Sequence, residues 1–181
     1  MCSSDLTPFG HAGEEGLDAV LNERFGGRFR HNEQSHRIAE RLNLTEEVRD
    51  GILTHTGEKQ PTTLEGKIVR IVDRVAYINH DIDDAIRFGI LAEGDLPREE
   101  LAILGHRGSE RIDTLVHDLI ETSDRAGDIV QSDEVGSAML SLRQFMFDRV
   151  YLGPITKPEH EKARRTVRAI FEAAIAEGRT P

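Results

Sequence analysis

The chain has no tryptophan, only 5% aromatic residues and a single cysteine, Cys2, among its 181 residues. One cysteine cannot build an intrachain disulfide framework, so a reducing, cytoplasmic setting is expected. No apolar run approaches the roughly 20 residues that a membrane-spanning helix needs, and the N-terminus lacks the layout of a secretion signal. These absences predict a soluble protein with no membrane segment.

The formal net charge is −10, so the surface has no excess of lysine and arginine. This balance argues against binding nucleic acid through many phosphate contacts, and the few aromatics argue against a platform for stacking single strands. An anionic small substrate would need a cation or a local basic pocket. The length and the 38% hydrophobic content are enough for one domain with a core.

Apolar residues recur with a period near 3.6 and no alternating strand pattern occurs, which predicts an all-α fold. Eight helices separated by glycine and proline breakers are expected at 14–25, 32–42, 45–54, 64–88, 99–104, 111–123, 133–150 and 159–177. The loop at 89–97 separates a half rich in polar, reactive side chains, 7–90, from a half rich in packing helices, 91–181.

The segment 72–87 predicts a helix with two chemically different faces. The apolar face, extended back by one turn, comprises Ile68, Ile71, Val75, Ile78, Ile82 and Ile86. The opposite, polar face comprises Asp73, Tyr77, His80, Asp81 and Asp84. A solvated acidic face explains this pattern as simply as a functional site does. A second apolar stripe is expected at Ile112, Leu115, Val116, Leu119 and Ile120.

Metal motifs with fixed spacing and glycine-rich phosphate loops are absent from the sequence. In TPFGHAGEEG, a turn opens onto a helix, and His11 and Glu14 stand three residues apart, where they can converge. Together they could activate water or protonate a leaving oxygen, but incidental polar residues at a helix start explain the pattern too. The polar run 30–34, which contains His31 and Glu33, has the same two interpretations.

Six segments follow one another in the order TPFGHAGEEGL, FRHNEQSHRIAERL, LTEEVRDGILTH, TLEGKIVRIVDRVAYINHDIDDAIRFGIL, RIDTLVHDLIETS and SLRQFMFDRVYL. Together they resemble the bacterial deoxyguanosine triphosphate triphosphohydrolase-like proteins of the HD superfamily. The resemblance implies a partial HD-type helical catalytic domain at 7–90 and a C-terminal helical phosphohydrolase-associated region at 91–181. It also implies hydrolysis of a deoxynucleoside triphosphate to a deoxynucleoside and triphosphate, with a divalent metal ion, Mg²⁺ or Mn²⁺, as cofactor.

The resemblance assigns roles residue by residue. His11 and Glu14 match the catalytic histidine and acid near the attacked phosphorus, with His31 as a further active-site histidine and Glu33 in support. Asp73 matches a metal ligand. Arg74 matches a phosphate contact, Tyr77 lies beside the sugar and Asp81 bonds the 3′-hydroxyl. A homo-oligomeric assembly is also implied.

The chain departs from the family before Thr7. The family's His-Asp metal-binding pair should fall at Cys2 and Ser3, and the helix that carries its first histidine ligand has no counterpart. We therefore expect a fragment that lacks the family's N-terminal helices, in which residues 1–6 are not native sequence. With at most one of the four family ligands present, the 181-residue chain is expected to bind metal weakly and to have negligible activity.

Two other functions fit the sequence less closely. Another HD-type phosphohydrolase, acting for example on a nucleoside monophosphate, would release orthophosphate instead of triphosphate. A non-catalytic helical module that binds nucleotides or regulates a partner would be stabilised by deoxynucleotides without hydrolysing them.

Overall fold

A computed structural model describes residues 6–179, and in this range the chain forms eight α-helices and no strand. The helices are α1 (Gly10–Phe25), α2 (His31–Ala39), α3 (Glu46–Thr54), α4 (Leu64–Arg87), α5 (Arg98–Leu104), α6 (Gly108–Ala126), α7 (Asp133–Met146) and α8 (Lys157–Ala176). The all-α prediction is confirmed. None of the described helices is both long and apolar enough to cross a membrane.

Several helix ends differ from the predicted positions. α1 begins at Gly10 instead of residue 14, because the amide of Gly10 already bonds the carbonyl of Thr7. α6 is longer at both ends, and α2 stops three residues early at Ala39. After Met146 the chain continues as a π-helical turn, Phe147–Tyr151, in place of a regular helix. Ends of this kind depend on hydrogen bonds that apolar periodicity does not report.

The main hydrophobic cluster lies between α4, α5, α6 and α7. Its most deeply buried members are Ile78, Ile82, Leu104, Leu115, Leu142 and Met146. Leu91 and Leu96, from the loop after α4, also belong to it. The cluster therefore contains residues from both sides of the predicted division near residue 90, and the division into two regions stays a prediction.

Two predicted apolar faces are only partly buried. In α4, Val75, Ile78 and Ile82 enter the core, whereas Ile68 is 41% exposed because no described helix covers the first turns on that side. In α6, the expected stripe is wrong at Ile112, Val116 and Ile120, which are all exposed.

Arg111 occupies the inward position of α6 and is only 2% exposed. Its Nε donates to Oδ1 of Asn79 at 2.8 Å, and its Nη1 donates to the carbonyl of His106 at 2.9 Å. Leu115 and Leu119 follow one and two turns later on the same face. Because Asn79 on α4 supplies a buried acceptor, a guanidinium can lie where a sequence pattern expects an apolar residue.

The last helix, α8, packs against α1. Gly16 makes this contact close, since a Cβ there would lie 2.9 Å from the carbonyl oxygen of Arg164. Arg164 also pairs with Glu15 at 2.8 Å, and Arg168 pairs with Glu23. A helix from the C-terminal region therefore supports the helix that carries His11 and Glu14.

Candidate active site

The start of α1 is shaped by a tight turn. Gly13 lies so close to the turn that a Cβ would be 1.9 Å from the carbonyl oxygen of Pro8. Phe9, just before the helix, has a φ of 68°, which is uncommon for a residue with a side chain. The turn predicted from Thr7–Pro8–Phe9–Gly10 is thus present, and it fixes the direction in which the first residues of α1 project.

Glu14 and His31 form the centre of the site. Both are buried, and Oε2 of Glu14 lies 2.9 Å from Nδ1 of His31. The other carboxylate oxygen, Oε1, accepts a hydrogen bond of 2.9 Å from the backbone N–H of His31. One acidic side chain on α1 therefore holds both the ring and the backbone of the first residue of α2.

The electrostatics of this pair favour an ionised Glu14. Burial alone would raise the pKa of its carboxyl group, because burial disfavours a charge. The hydrogen bonds from the ring and backbone of His31, together with the charges of His31 and His11, outweigh burial and lower the pKa overall. The carboxylate is thus held in its charged form by groups that the fold places around it.

His11 lies beside this pair at the protein surface. It is exposed, and its ring centre is 5.7 Å from that of His31 in an edge-to-face arrangement. Ligand atoms of His11, Glu14 and His31 all lie within 4.8 Å of one another, a spacing that could hold a cation. However, the Glu14–His31 hydrogen bond already uses one atom of each residue, so the group forms an acid–imidazole pair with a neighbouring exposed histidine.

His55 completes the cluster and was not among the predicted site residues. It follows α3 directly, and its Nε2 lies 3.2 Å from Nε2 of His31. The sequence signal was weak: a histidine in ILTHTG, just before the glycine at 57, stands outside any periodic pattern. Only the packing of α2 against α3 brings the two imidazoles together.

The predicted substrate-binding residues lie along α4. Tyr77 is half-buried against the core, and its hydroxyl accepts a hydrogen bond from Nε of Arg143 on α7. Burial raises the pKa of Tyr77, and the charges of Arg143, Arg74 and Asp73 act on the same hydroxyl. Asp73, Arg74 and Tyr77 therefore lie close together on α4, and the roles that the resemblance assigns to them stay predictions.

Asp81 lies one helical turn beyond Tyr77. Burial, together with the nearby charge of Asp84, raises the pKa of Asp81 to about 6, with His80 acting in the opposite direction. The side chain is thus a partly buried carboxyl group that is easily protonated. The sugar-binding role of Asp81 stays a prediction.

The metal site implied by the resemblance is not formed by the described residues. Among residues 6–179, one group of three or more potential ligands converges, His11 with Glu14 and His31, and Asp73 is not part of it. Asp73 therefore lies outside this group, and its metal-binding role stays a prediction. The paired ligands were expected at Cys2 and Ser3. Both residues lie outside the described range, which begins at residue 6.

Glu33 projects from the first turn of α2 and is exposed. Among the described contacts, those of the Glu14–His31–His55 cluster do not include it. The fold brings His11, Glu14 and His31 together. Their catalytic roles and the supporting role of Glu33 stay predictions.

The C-terminal helices match a known class of domain. Residues 129–180 match the family described as Phosphohydrolase-associated domain, and this stretch lies within the predicted region 91–181. The last two helices, α7 and α8, are therefore similar to a phosphohydrolase-associated domain.

Curated relatives make the similarity more specific. The chain is 49% identical over 172 residues to the deoxyguanosinetriphosphate triphosphohydrolase-like protein of Caldanaerobacter subterraneus subsp. tengcongensis, covering 91% of this chain and 50% of the relative. It is 47% identical over 180 residues to the protein of the same name from Clostridium perfringens strain 13, covering 91% and 52%. A relative of that name from Desulfatibacillum aliphaticivorans is 37% identical over 186 residues, covering 92% and 52%.

The resemblance that the six sequence segments carry is confirmed by these matches. The chain is homologous to deoxyguanosinetriphosphate triphosphohydrolase-like proteins over about nine tenths of its length. It spans about half the length of the curated relatives it matches.

Proposed function

We propose that this chain forms part of a hydrolase that converts a deoxynucleoside triphosphate to a deoxynucleoside and inorganic triphosphate. The single observation that carries the proposal is the convergence of His11, Glu14 and His31. The resemblance places these same residues at the attacked phosphorus. The names of the relatives support this substrate class.

The exposed and buried residues of the site have different roles in this proposal. His11 is exposed and can reach a substrate, so it is the residue that protonates the departing oxygen. Glu14 and His31 are buried and hydrogen-bonded to each other, so they hold the local charge and orientation around His11. Arg74, Tyr77 and Asp81 on α4 bind the nucleotide in this proposal.

A divalent cation, Mg²⁺ or Mn²⁺, completes the proposed reaction, because it would polarise the phosphate and its bound water. Asp73 is the described residue assigned to it. The family's paired metal ligands would fall at Cys2 and Ser3, where the sequence departs from the family. The 181-residue chain alone is therefore expected to bind metal weakly and release little product.

The test compares two proteins, the 181-residue chain and a chimera that adds the half of the Caldanaerobacter relative that this chain does not match. Each is incubated with the four deoxynucleoside triphosphates and Mg²⁺ or Mn²⁺, and the phosphate products are separated by ion exchange. The chimera should release triphosphate. His11→Ala should slow it about 10²- to 10⁴-fold, the usual contribution of a general acid, while His117→Ala, an exposed position on α6, should not.

Other products would decide against the proposal. Orthophosphate as the main product would indicate another kind of phosphohydrolase. Thermal stabilisation by deoxynucleotides with no product from the chimera would indicate a non-catalytic binding module. Sedimentation of the chimera would test the predicted homo-oligomer.

A further inference from the structure

The contact between His31 and His55 constrains where the protons of the site are. The two rings approach with their centres 5.3 Å apart, and their Nε2 atoms are separated by 3.2 Å. A hydrogen bond between two imidazole nitrogens needs one donor and one acceptor, so one proton lies in this contact. The groups bonded to the other nitrogen of each ring determine how many protons the pair holds.

The outer nitrogen of His55 is a donor. Its Nδ1 lies 2.8 Å from the carbonyl oxygen of Ile52, and a carbonyl can only accept a hydrogen bond. His55 therefore carries a proton on Nδ1. In its neutral form, its Nε2 is unprotonated and acts as an acceptor toward His31.

The outer nitrogen of His31 is also a donor. Its Nδ1 faces Oε2 of Glu14 at 2.9 Å, and an ionised carboxylate can only accept. With protons on both outer nitrogens and one between the rings, the two histidines hold three protons, one more than two neutral imidazoles. The pair thus carries one positive charge, which the carboxylate of Glu14 balances.

The backbone around His55 is firmly held, so the contact is not a chance approach of two loose rings. Arg70, which is buried in α4, donates to the carbonyls of Thr54 and Gly57 on either side of His55 at 2.6 and 2.7 Å. Asn32, next to His31, donates to the carbonyl of Leu53 at 2.6 Å. Helices α2, α3 and α4 all contribute to placing this imidazole.

We propose that His55 is a positioning residue of the site, whose Nε2 accepts a hydrogen bond from His31 and so fixes the orientation and protonation of the His31 ring. A His31 ring with both nitrogens protonated has no lone pair to take a proton from a substrate or water. Proton exchange is then left to the exposed His11. This last consequence rests on the proposed function, whereas the state of the two rings does not.

The test uses the 181-residue chain labelled with ¹⁵N-histidine and needs no nucleotide, so it is independent of whether the protein hydrolyses triphosphates. Proton–nitrogen correlation spectra at pH 7 distinguish protonated from unprotonated ring nitrogens. In the wild type, His55 should be protonated on Nδ1 only, and His31 on both nitrogens. In His55→Leu, which removes the acceptor, the proton on Nε2 of His31 should be lost.

Two further variants separate positioning from a merely structural role. His55→Gln can place its amide oxygen near the former Nε2, so it should restore the proton on His31. His117→Leu, at an exposed site on α6, should leave the His31 signals unchanged. A wild-type His55 protonated on Nε2 and bare on Nδ1 would overturn the proposal. So would an unchanged His31 in His55→Leu, and if that variant does not fold, the wild-type and glutamine spectra still decide.

Discussion

Two carboxylic acids in this molecule are shielded from solvent, and their pKa values are shifted in opposite directions. Glu14 on α1 accepts two hydrogen bonds from His31, and its pKa is lowered. For Asp81 on α4, burial, together with the nearby charge of Asp84, raises the pKa to about 6. The comparison teaches that burial raises the pKa of a carboxyl group unless hydrogen-bond donors and positive charges around it outweigh burial. In the candidate site, the fold therefore holds Glu14 in its ionised form.

Among the variants that test this comparison, Glu14→Ala should have the largest effect. In Glu14→Ala, the backbone N–H and the ring of His31 lose their buried acceptor, and a loss of about 3 kcal/mol in the free energy of unfolding is expected. Urea denaturation at pH 7 measures it. Glu15→Ala, at the next residue, removes only an exposed ion pair with Arg164 and should cost no more than about 0.5 kcal/mol.

The pH dependence of the same variant tests whether Glu14 is ionised in the folded protein. Because the pKa of Glu14 is lower in the folded protein, its contribution is present above its unfolded pKa and is lost as pH falls through the folded value. The stability difference between wild type and Glu14→Ala should therefore shrink below about pH 4, near the ordinary glutamate pKa. A difference that grows on acidification would contradict the ionised state of Glu14.

A second variant asks whether the Glu14 region depends on its packing partner. Gly16→Ala places a methyl group against the backbone of Arg164, so α8 must shift, at a cost of about 2 kcal/mol. Gly136→Ala in α7 is the matched control, because its methyl group would have only an ordinary contact with Gln131. That control should be neutral or stabilising by up to about 1 kcal/mol through helix propensity. Equal effects of the two substitutions would show that α8 does not constrain α1.

The smallest expected effect concerns the second acid. Because the pKa of Asp81 is raised in the folded protein, its charged form costs stability in full above about pH 6. This cost decreases as pH falls and is lost only below the ordinary aspartate pKa of about 4. Asp81→Asn should therefore be more stable than wild type by about 1 kcal/mol at pH 7.5 and equal to it only below about pH 4. Thermal unfolding at about pH 7.5 and below about pH 4 measures this difference, with the exposed Asp124→Asn as the matched control.

The sequence predicts most of the helices because their signals are local. Thr63 caps α4 by accepting from the amide of Gly66, and Val75, Ile78 and Ile82 keep the helical period into the core. Periodicity, however, cannot reveal which neighbour covers a face. Ile68 therefore looked like a core residue, and Arg111 did not, because its acceptor Asn79 comes from a different helix.

The same limit applies to the candidate site. His11 and Glu14 stand three apart on one helix, so their convergence could be expected from spacing, and the family resemblance added His31. His55 was missed because its partner is 24 residues away and the contact exists only once α2 and α3 have packed. A pattern within one helix can be read from sequence, whereas a hydrogen bond between two helix ends cannot.

The packing of α8 on α1 has a consequence for the order in which the protein matures. Arg164 is made 149 residues after its partner Glu15, a delay of about 7 to 30 s at ordinary rates of translation. During this time the face of α1 around Gly16 has no α8 to cover it. The helix that carries His11 and Glu14 is thus the first of the described helices to be synthesised and among the last to be secured.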